Sequence, residues 1–183
     1  ASKFNKNSLK ALKSKRNLII IDSSDLKEKN IETHKSVNTG VLYQDFNSYK
    51  ILKSEIKLVS TKKSSDKILD DLIFAYKVAK HVKSNAIVLA NNKQTLGVGA
   101  GQMSRLDSTN IAIMKYKKKF KHRSFVCASD AFFPFPDCVE IAGNEGIKVV
   151  IQPGGSIKDQ LSIDYCNDND IAMVFTGNRH FKH

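Results

Sequence analysis

The sequence has no tryptophan, only three cysteines and three prolines, and no apolar run of the length that crosses a membrane. Cys127, Cys138 and Cys166 are odd in number and far apart, which argues against a disulfide framework and against a Cys-x-x-Cys zinc site. The absence of His-x-Glu followed by Pro-Cys-x-x-Cys excludes the zinc hydrolysis of nucleobase deaminases. Residues 1–6 lack the apolar core of a signal peptide, so we expect a soluble, cytoplasmic protein.

Positive charge is in excess, with 30 Lys and Arg against 18 Asp and Glu and a formal net charge of +12. Such a balance is typical of proteins that bind polyanions, and nucleic acid is the first class to consider. The basic residues are, however, spread over 3–16, 53–67 and 115–123, and aromatic residues do not alternate with them in a stacking pattern. We therefore expect a solvated lysine-rich surface. A basic module that binds anions or nucleic acid without catalysis is the alternative function.

Short apolar runs of strand length alternate with helical patterns along the 183 residues, enough for one domain with a substantial core. The predicted strands are 17–22, 37–46 with Gly40 as a bulge or a site of close approach, 56–60, 86–90, 95–100, 125–128, 147–151 and 171–175. The predicted helices are about 7–15, 64–82, 104–118, 138–145 and 158–167. The alternation predicts an α/β fold with a mainly parallel sheet, helices on both faces, and ligand loops at the carboxyl ends of the strands.

The stretch 129–137, Ser-Asp-Ala-Phe-Phe-Pro-Phe-Pro-Asp, directly follows a predicted buried strand. Pro134 and Pro136 favour extended backbone before them, so the stretch is predicted to leave the sheet as a rigid extended loop. Its phenylalanines would either form the wall of a ligand site or fill the core. Asp137 would either accept hydrogen bonds from a ligand or act as the N-cap of the next helix.

Gly97, Gly99 and Gly101 precede the predicted helix at 104–118. The spacing departs from Gly-x-Gly-x-x-Gly because Gln102 stands where the third glycine belongs, which excludes a dinucleotide loop. Small residues here would still let backbone N–H groups reach an anion at a helix N-terminus, where Arg105 adds further donors.

Five motifs occur in an order that points to one family. They are 83–86 Lys-Ser-Asn-Ala, 97–105 Gly-Val-Gly-Ala-Gly-Gln-Met-Ser-Arg, the aromatic stretch 129–137, 152–156 Gln-Pro-Gly-Gly-Ser and 175–183 Phe-Thr-Gly-Asn-Arg-His-Phe-Lys-His. With these motifs the chain resembles the C-terminal half of the AICAR transformylase domain of the bifunctional purine biosynthesis enzymes. Residues 1–183 would be the C-terminal portion of that domain, with a less well matched segment over 1–63 and a motif-bearing core over 64–183.

The resemblance implies a cytidine deaminase-like fold without zinc, in a homodimeric enzyme that is also an IMP cyclohydrolase. The implied reaction transfers a formyl group from 10-formyltetrahydrofolate to AICAR, with no membrane or nucleic-acid partner. Since an arylamine is a poor nucleophile, the site must orient it, remove a proton and stabilise an oxyanion. The family's catalytic Lys-His pair lies in an earlier repeat with no counterpart here, and Lys80 and His81 are only a look-alike at a helix end. The isolated chain is therefore expected to be inactive.

For AICAR, the resemblance implies that Asn85 holds the carboxamide and that Arg105 and Arg179 bind the nucleotide. Phe132 and Phe181 would face the imidazole ring. An amide both donates and accepts, as a carboxamide partner requires, and a guanidinium suits phosphate.

For the folate, the resemblance implies contacts from Phe135, Asp137, Ser156 and Ile157, with the Asp137 carboxylate accepting from the N–H edge of the pterin. His183 matches a supporting active-site histidine.

Structural alternatives apply to several of these residues. Asn85 could cap a turn, Arg105 could pair with Asp107, Arg179 could be a surface cation, and His183 could be a frayed terminus.

The resemblance further implies a monovalent cation such as potassium near Ser84 and Asp130. Val82 and Ala86 depart from the hydroxyl-bearing pattern that accompanies this ion in the family.

Overall fold

The computed structural model describes residues 3–15, 17–25, 32–44, 46–120 and 124–182, in two compact units whose boundary falls between Ser48 and Tyr49. The first unit contains helix α1 (Lys6–Leu12) and a hairpin of strands β1 (Thr33–Val37) and β2 (Gly40–Gln44). The N–H of Ser8 donates to the side chain of the N-cap residue Asn5 at 2.7 Å, which fixes the start of α1. None of the α1 residues is buried.

Two strand predictions in the first unit are wrong. Residues 17–22 form no strand, and Ile19 and Ile21 are 83% and 69% exposed. The segment 37–46 is not one strand, because Val37 ends β1 and Gly40 opens β2 without a bulge. An apolar run becomes a buried strand only where a neighbouring strand completes its hydrogen-bond ladder, and in this unit β1 and β2 pair with each other.

The second unit begins with a short 3₁₀ helix at Lys53–Glu55 and then alternates strands and helices. Its elements are β3 (Lys57–Leu58), α2 (Asp66–His81), β4 (Ile87–Asn91), β5 (Gln94–Gly99), α3 (Arg105–Lys119), β6 (Phe125–Ser129), α4 (Asp137–Asn144), β7 (Ile147–Gln152), α5 (Asp159–Asp168) and β8 (Ala172–Phe175). They form a six-stranded sheet in the order β3-β8-β7-β6-β4-β5. The centre, β6-β7-β8, is parallel, whereas β3, β4 and β5 pair antiparallel.

Helices cover both faces of this sheet, which confirms the predicted α/β class. Alternate strand residues point to opposite faces, so a strand that is covered on both sides must be apolar along its whole length. On one face, Leu72, Ala75, Tyr76 and Ala79 of α2 pack on the sheet. On the other face, buried residues of α3, α4 and α5 pack with strand residues such as Phe125.

The tight turn between β4 and β5 is stabilised by a buried acid. Asn92 and Lys93 both have positive φ, 49° and 54°, as a two-residue hairpin turn requires. Their N–H groups donate to the carboxylate of Asp71 at 2.9 and 2.7 Å. Asp71 lies on α2, so the turn is tied to the helix that covers its sheet.

Close packing accounts for two of the glycines before α3. A Cβ atom on Gly97 would lie 2.0 Å from the carbonyl oxygen of Ala112, and one on Gly99 would lie 1.8 Å from that of Ser108. These positions therefore allow α3 to pack against β5. This packing is a structural reason for Gly97 and Gly99, and an anion at the N-terminus of α3 stays a prediction.

In the described part of the chain, none of the helices combines the length and apolar character needed to span a membrane.

Candidate functional site

The five sequence motifs meet at one edge of the six-stranded sheet. The loops after the parallel strands β6, β7 and β8 leave from this edge. Strand β4 runs antiparallel to β6, and Ile87 at its start pairs with Ser129 at the end of β6. Ile87 also pairs with Gly99 at the end of β5. The start of β4 and the end of β5 therefore join the three carboxyl ends at the same edge.

A cavity of about 380 Å³ lies at this edge. Six of the residues that the sequence predicts for the site line it, together with apolar and small residues from the same loops. The lining is Asn85, Met103, Ser104, Arg105, Leu106, Ala131, Phe132, Pro134, Phe135, Asp137, Cys138 and Phe181. The structure thus brings the predicted AICAR residues other than Arg179 next to two of the predicted folate residues.

A second cavity, also of about 380 Å³, shares one wall with the first. It is lined by Phe132, Pro134, Phe135, Gly155, Ser156, Ile157 and Lys158. The segment Phe132–Phe135 therefore stands between two adjoining spaces and faces both. We call this segment the aromatic wall.

The phenylalanines of the wall divide between the two roles that the sequence left open. Phe133 is 1% exposed and belongs to the core, where its N–H donates to the side-chain oxygen of buried Gln152 at 2.8 Å. Phe132 is half-buried, and Phe135 is 48% exposed. One ring anchors the wall, and the other two remain accessible to a ligand.

Arg105 is tied into the protein below the first cavity. Its Nη1 donates to Oδ1 of Asp130 at 2.7 Å, and its Nη2 donates to Oδ1 of Asn85 at 2.9 Å. Desolvation lowers the pKa of Arg105, and the charge of Asp130 opposes that shift. The observed partner is Asp130, so the alternative pairing with Asp107 is wrong.

The side-chain amide of Asn85, like the guanidinium of Arg105, is hydrogen-bonded within the protein. Its Nδ2 donates to the carbonyl oxygens of Gln102 and Met103 at 3.0 and 2.9 Å, while its Oδ1 accepts from Arg105. Ser108 donates to the Asn85 carbonyl at 2.7 Å. Asn85 therefore holds the loop before α3 in place, and a ligand carboxamide would have to exchange with these contacts.

The C-terminal tail is fastened across the same edge. The N–H of His180 donates to the carbonyl oxygen of Asp130 at 2.8 Å. Ser84 and Lys182 are joined twice, from the Ser84 N–H to the Lys182 carbonyl at 2.8 Å and from the Lys182 N–H to Ser84 Oγ at 2.9 Å. These contacts place Phe181, which is 37% exposed, in the lining of the first cavity.

Two further tail residues were predicted for the site. Arg179 is exposed, and its guanidinium carbon lies 5.2 Å from the centre of the Phe181 ring. It does not line either cavity. His183 lies outside the described residues.

His180 is a residue of this edge that the sequence analysis did not single out. It is only 2% exposed, and its ring centre lies 5.0 Å from that of Tyr76 and 5.8 Å from that of Tyr49. Burial lowers the pKa of His180 to about 4, and the charges of Lys80 and His81 add to the shift. Its position between Arg179 and Phe181 in the tail motif was the available signal.

Lys80 and His81 end α2, as expected of a helix-end pair. Lys80 Nζ donates to the carbonyl oxygen of Tyr49 at 2.7 Å, and burial lowers the pKa of Lys80.

Asp137 is the first residue of α4, and Pro136 is the N-cap residue. The alternative that Asp137 is the N-cap of this helix is therefore wrong, and its structural role is that of an acid in the first turn. Its Oδ1 accepts from the N–H of Cys138 at 2.7 Å, and its side chain lines the first cavity. A carboxylate in the first turn also faces the positive end of the helix dipole.

The loop that lines the second cavity is held by Asp159. Its Oδ2 accepts from the N–H groups of Gly155 and Ser156 at 2.6 and 3.1 Å. Ile157 follows in this loop with its side chain fully exposed. Lys158 places its Nζ 4.2 Å from the centre of the Phe135 ring.

The cysteines do not offer nucleophiles or metal ligands. All three are buried, and burial raises the pKa of Cys138 and of Cys166 to about 12 and that of Cys127 further still. Within the described ranges, no group of three or more His, Cys, Asp or Glu side chains is placed to hold a metal ion.

The residues expected near a potassium ion are already engaged. Each carboxylate oxygen of Asp130 accepts a hydrogen bond, Oδ1 from Arg105 at 2.7 Å and Oδ2 from Ser84 Oγ at 2.5 Å. The Arg105 guanidinium is thus the cation that the structure shows at this carboxylate. The potassium ion stays a prediction, and no step below depends on it.

A family sequence model and the sequences of individual relatives point to the same group of proteins. A sequence model of the AICARFT/IMPCHase bienzyme family matches residues 1–115, which include the segment 1–63. Bifunctional purine biosynthesis protein PurH from Acetivibrio thermocellus is 49% identical over 186 residues, that from Lactobacillus delbrueckii subsp. bulgaricus 48% over 186, and that from Caldicellulosiruptor bescii 48% over 184. Each alignment covers 100% of this chain but only 35–36% of the relative. The chain thus spans about a third of the length of the curated relatives that it matches.

Proposed function

The chain belongs to the AICARFT/IMPCHase bienzyme family, and from this membership we propose that it forms part of a formyltransferase of purine biosynthesis. The proposed reaction transfers a formyl group from 10-formyltetrahydrofolate to AICAR. We further propose that the chain is the C-terminal portion of the transformylase domain in a longer, cytoplasmic, homodimeric protein that also has IMP cyclohydrolase activity. The coverage of only about a third of each relative supports a longer protein.

The observation that carries this proposal is the aromatic wall between two adjoining cavities. Formyl transfer needs two substrates side by side, with the amine of one close to the formyl carbon of the other. Holding both in that geometry supplies a large part of the rate acceleration. Two spaces that meet along Phe132, Pro134 and Phe135 suit such a pair of substrates.

AICAR is proposed to lie in the first cavity, beside Phe132 and Phe181. Both rings are accessible in its lining and can pack against a flat heterocycle. Asn85 and Arg105 form its polar floor. Because Arg105 is paired with a buried carboxylate, the exposed Arg179 is better placed to bind the phosphate, with Arg105 orienting Asn85.

The folate is proposed to lie along the wall, in contact with Phe135, Ser156 and Ile157. The pterin presents N–H donors, and Asp137 provides a carboxylate in the lining of the first cavity, which shares the wall residues Phe132, Pro134 and Phe135 with the second. A charge-assisted hydrogen bond of this kind is roughly twice as strong as a neutral one.

The chain is proposed to supply binding surfaces rather than the proton-transfer groups. The family's Lys-His pair has no counterpart in the five motifs of this chain, and His183 is proposed as a supporting group. Formyl transfer by the isolated chain should therefore be at background.

The test is a formyl-transfer assay on the full-length protein with Phe132→Ala, and with Phe46→Ala as the control because Phe46 is an exposed aromatic of the first unit. We expect Phe132→Ala to lower kcat/KM by roughly tenfold or more, as loss of an aromatic contact does, and Phe46→Ala to leave it unchanged. Full activity in Phe132→Ala would overturn the proposal that the aromatic wall binds the substrates. Salt-dependent binding of random oligonucleotides, without binding of AICAR or folate, would support the basic module instead.

A further inference from the structure

The C-terminal tail, residues 177–182, has one side chain in the protein interior. The structure describes all six residues, and among them only His180 is buried, at 2% exposure, whereas its neighbours Arg179 and Phe181 are exposed. Phe181 lines the first cavity, and His180 lines neither cavity. The His180 side chain therefore enters the protein, while the side chains on either side of it stay accessible to a ligand.

Two tyrosines pack against the His180 ring. The ring centre lies 5.0 Å from that of Tyr76 and 5.8 Å from that of Tyr49, with interplanar angles of 54° and 33°. Aromatic rings at such separations attract each other in addition to burying apolar area. Tyr76 is itself fully buried on α2, and its hydroxyl donates to the carbonyl oxygen of Asn178 and lies 2.8 Å from Thr176 Oγ1. Helix α2 thus holds the tail at His180 and just before it.

The backbone of His180 is joined to the residue that pairs with Arg105. The His180 N–H donates to the carbonyl oxygen of Asp130 at 2.8 Å, and the Asp130 carboxylate accepts from Arg105 at 2.7 Å. Arg105 in turn donates to Asn85. Since Phe181 follows His180 directly, this chain of contacts sets its position relative to the polar floor of the first cavity. The ring and the backbone of His180 therefore hold the same point of the tail.

Resting on the proposed function, we propose that His180 is a positioning residue for AICAR, which acts through the two residues beside it. With its ring packed against the tyrosines, the tail keeps Phe181 at the heterocycle and Arg179 at the phosphate. Without that ring, the tail adopts this arrangement for only part of the time. A ligand that binds only the arranged tail then loses apparent affinity in proportion to the fraction of time in which the tail is arranged.

His180→Ala should raise the KM for AICAR by roughly tenfold, which corresponds to a tail that is arranged for about a tenth of the time. The kcat at saturating AICAR should change little, because bound AICAR restores the arrangement. The KM for 10-formyltetrahydrofolate should also change little, because the folate is assigned to other residues. Partial unfolding of the protein would give the opposite pattern, since it lowers kcat through the active fraction and leaves both KM values unchanged.

His180→Phe tests whether the ring is the part of His180 that acts. Burial keeps the imidazole neutral, with a pKa of about 4, so a phenyl ring changes no charge near neutral pH. The KM of His180→Phe for AICAR should lie closer to that of the unchanged protein than to that of His180→Ala. His34→Ala is the control, because His34 is an exposed histidine of β1 that lines neither cavity. It should leave every parameter unchanged.

The experiment measures steady-state formyl transfer by the full-length protein and by these three variants near neutral pH. Amide hydrogen exchange of the same proteins without substrates reports the tail directly, because exchange follows local opening. Residues 177–182 should exchange faster in His180→Ala than in the unchanged protein, and addition of AICAR should slow them again. The strands of the six-stranded sheet should exchange at the same rate in both proteins.

Three results would overturn the inference alone: an unchanged KM for AICAR in His180→Ala, a defect confined to kcat, or unchanged exchange of residues 177–182. Equal KM values for AICAR in His180→Phe and His180→Ala would show that the ring does not hold the tail, and would overturn it as well. Failure of the unchanged full-length protein to transfer a formyl group to AICAR would instead overturn the proposed function, and the inference with it. Hydrogen exchange needs no substrate, so it keeps the two kinds of failure apart.

Discussion

Arg105 donates to the carboxylate of Asp130 across 2.7 Å, in an ion pair whose carboxylate is fully buried and whose arginine side chain is only 9% exposed. The pair joins the start of α3 to the loop after β6, and the same guanidinium also donates to Asn85. Three of the five sequence motifs are thus connected through one side chain. The geometry of the first cavity depends on this connection.

Arg105→Met should be strongly destabilising, because it leaves the Asp130 carboxylate buried without its cation. Breaking one partner of a buried pair costs about 3–5 kcal/mol. The control is Lys117→Gln, which removes the Lys117–Glu145 pair of 2.6 Å, in which the lysine side chain is 55% exposed. Exposed pairs contribute less than about 1 kcal/mol. Urea unfolding of the two variants measures the difference in the free energy of unfolding. Equal decreases in the two variants would show that the buried Arg105–Asp130 pair stabilises the protein no more than the exposed pair does.

Gly99→Ala should lower the free energy of unfolding, because its Cβ would lie 1.8 Å from the backbone oxygen of Ser108 in α3. Overpacking of this kind costs about 1–3 kcal/mol, or more where backbone must move. Gly40→Ala is the matched control, since no atom lies within 4 Å of its added Cβ. Thermal unfolding should show a clear fall in Tm for Gly99→Ala alone. A Tm equal to that of Gly40→Ala would mean that α3 does not pack this closely on β5.

Asp137→Asn should weaken folate binding without loss of stability. The amide can still accept the N–H of Cys138 through its oxygen but no longer offers a charged acceptor to the pterin. We expect the folate KM of the full-length protein to rise about tenfold, equivalent to about 1.4 kcal/mol, at nearly constant Tm.

The control for Asp137→Asn is Asp107→Asn, which changes an exposed first-turn acid of α3 that lines neither cavity. A fall in Tm that accounts for the whole defect of Asp137→Asn would reduce Asp137 to a helix-stabilising acid.

His180 should make the protein less stable in mild acid. Burial depresses its pKa to about 4 from an ordinary value of 6.5, so the unfolded chain binds the proton more readily than the folded one. The stability that its neutral form contributes is complete above pH 6.5 and is lost as the pH falls toward 4. The loss is on the order of 2–3 kcal/mol over that window.

His180→Gln removes this titration, so its stability should depend less on pH between 7 and 4.5 than that of the unchanged chain. His34→Gln, at an exposed position of β1, should leave the dependence as it was. Urea unfolding at four pH values gives the comparison. The same dependence of the free energy of unfolding on pH in His180→Gln and in the unchanged chain would contradict the conclusion that His180 is buried in its neutral form.

Much of the second unit could be predicted from local sequence, because its elements follow from patterns of apolar residues and caps. Ser104 precedes α3 and accepts from Asp107, so the start of that helix was readable from a Ser and an Asp three residues apart. The buried strands were readable because β6 and β7 are covered on both faces. The strand prediction at 17–22 was wrong because an apolar run does not show whether a neighbouring strand is available to pair with it.

The contacts within the candidate site could not be predicted in the same way. Arg105 pairs with Asp130, 25 positions along the chain, rather than with its neighbour Asp107. Phe133 is the phenylalanine of the wall that enters the core, and its N–H donates to the side-chain oxygen of Gln152, 19 positions along the chain. Both hydrogen bonds join residues that are distant in sequence and that meet only when their loops fold onto one edge of the sheet.

The central claim is that the two cavities along the aromatic wall bind AICAR and the folate, and a crystal structure of the full-length protein with AICAR and an unreactive folate analogue tests it most directly. The account predicts AICAR beside Phe132 and Phe181, and the pterin N–H groups about 3 Å from the Asp137 carboxylate. Either ligand bound away from the wall formed by Phe132–Phe135, with these two cavities empty, would contradict it.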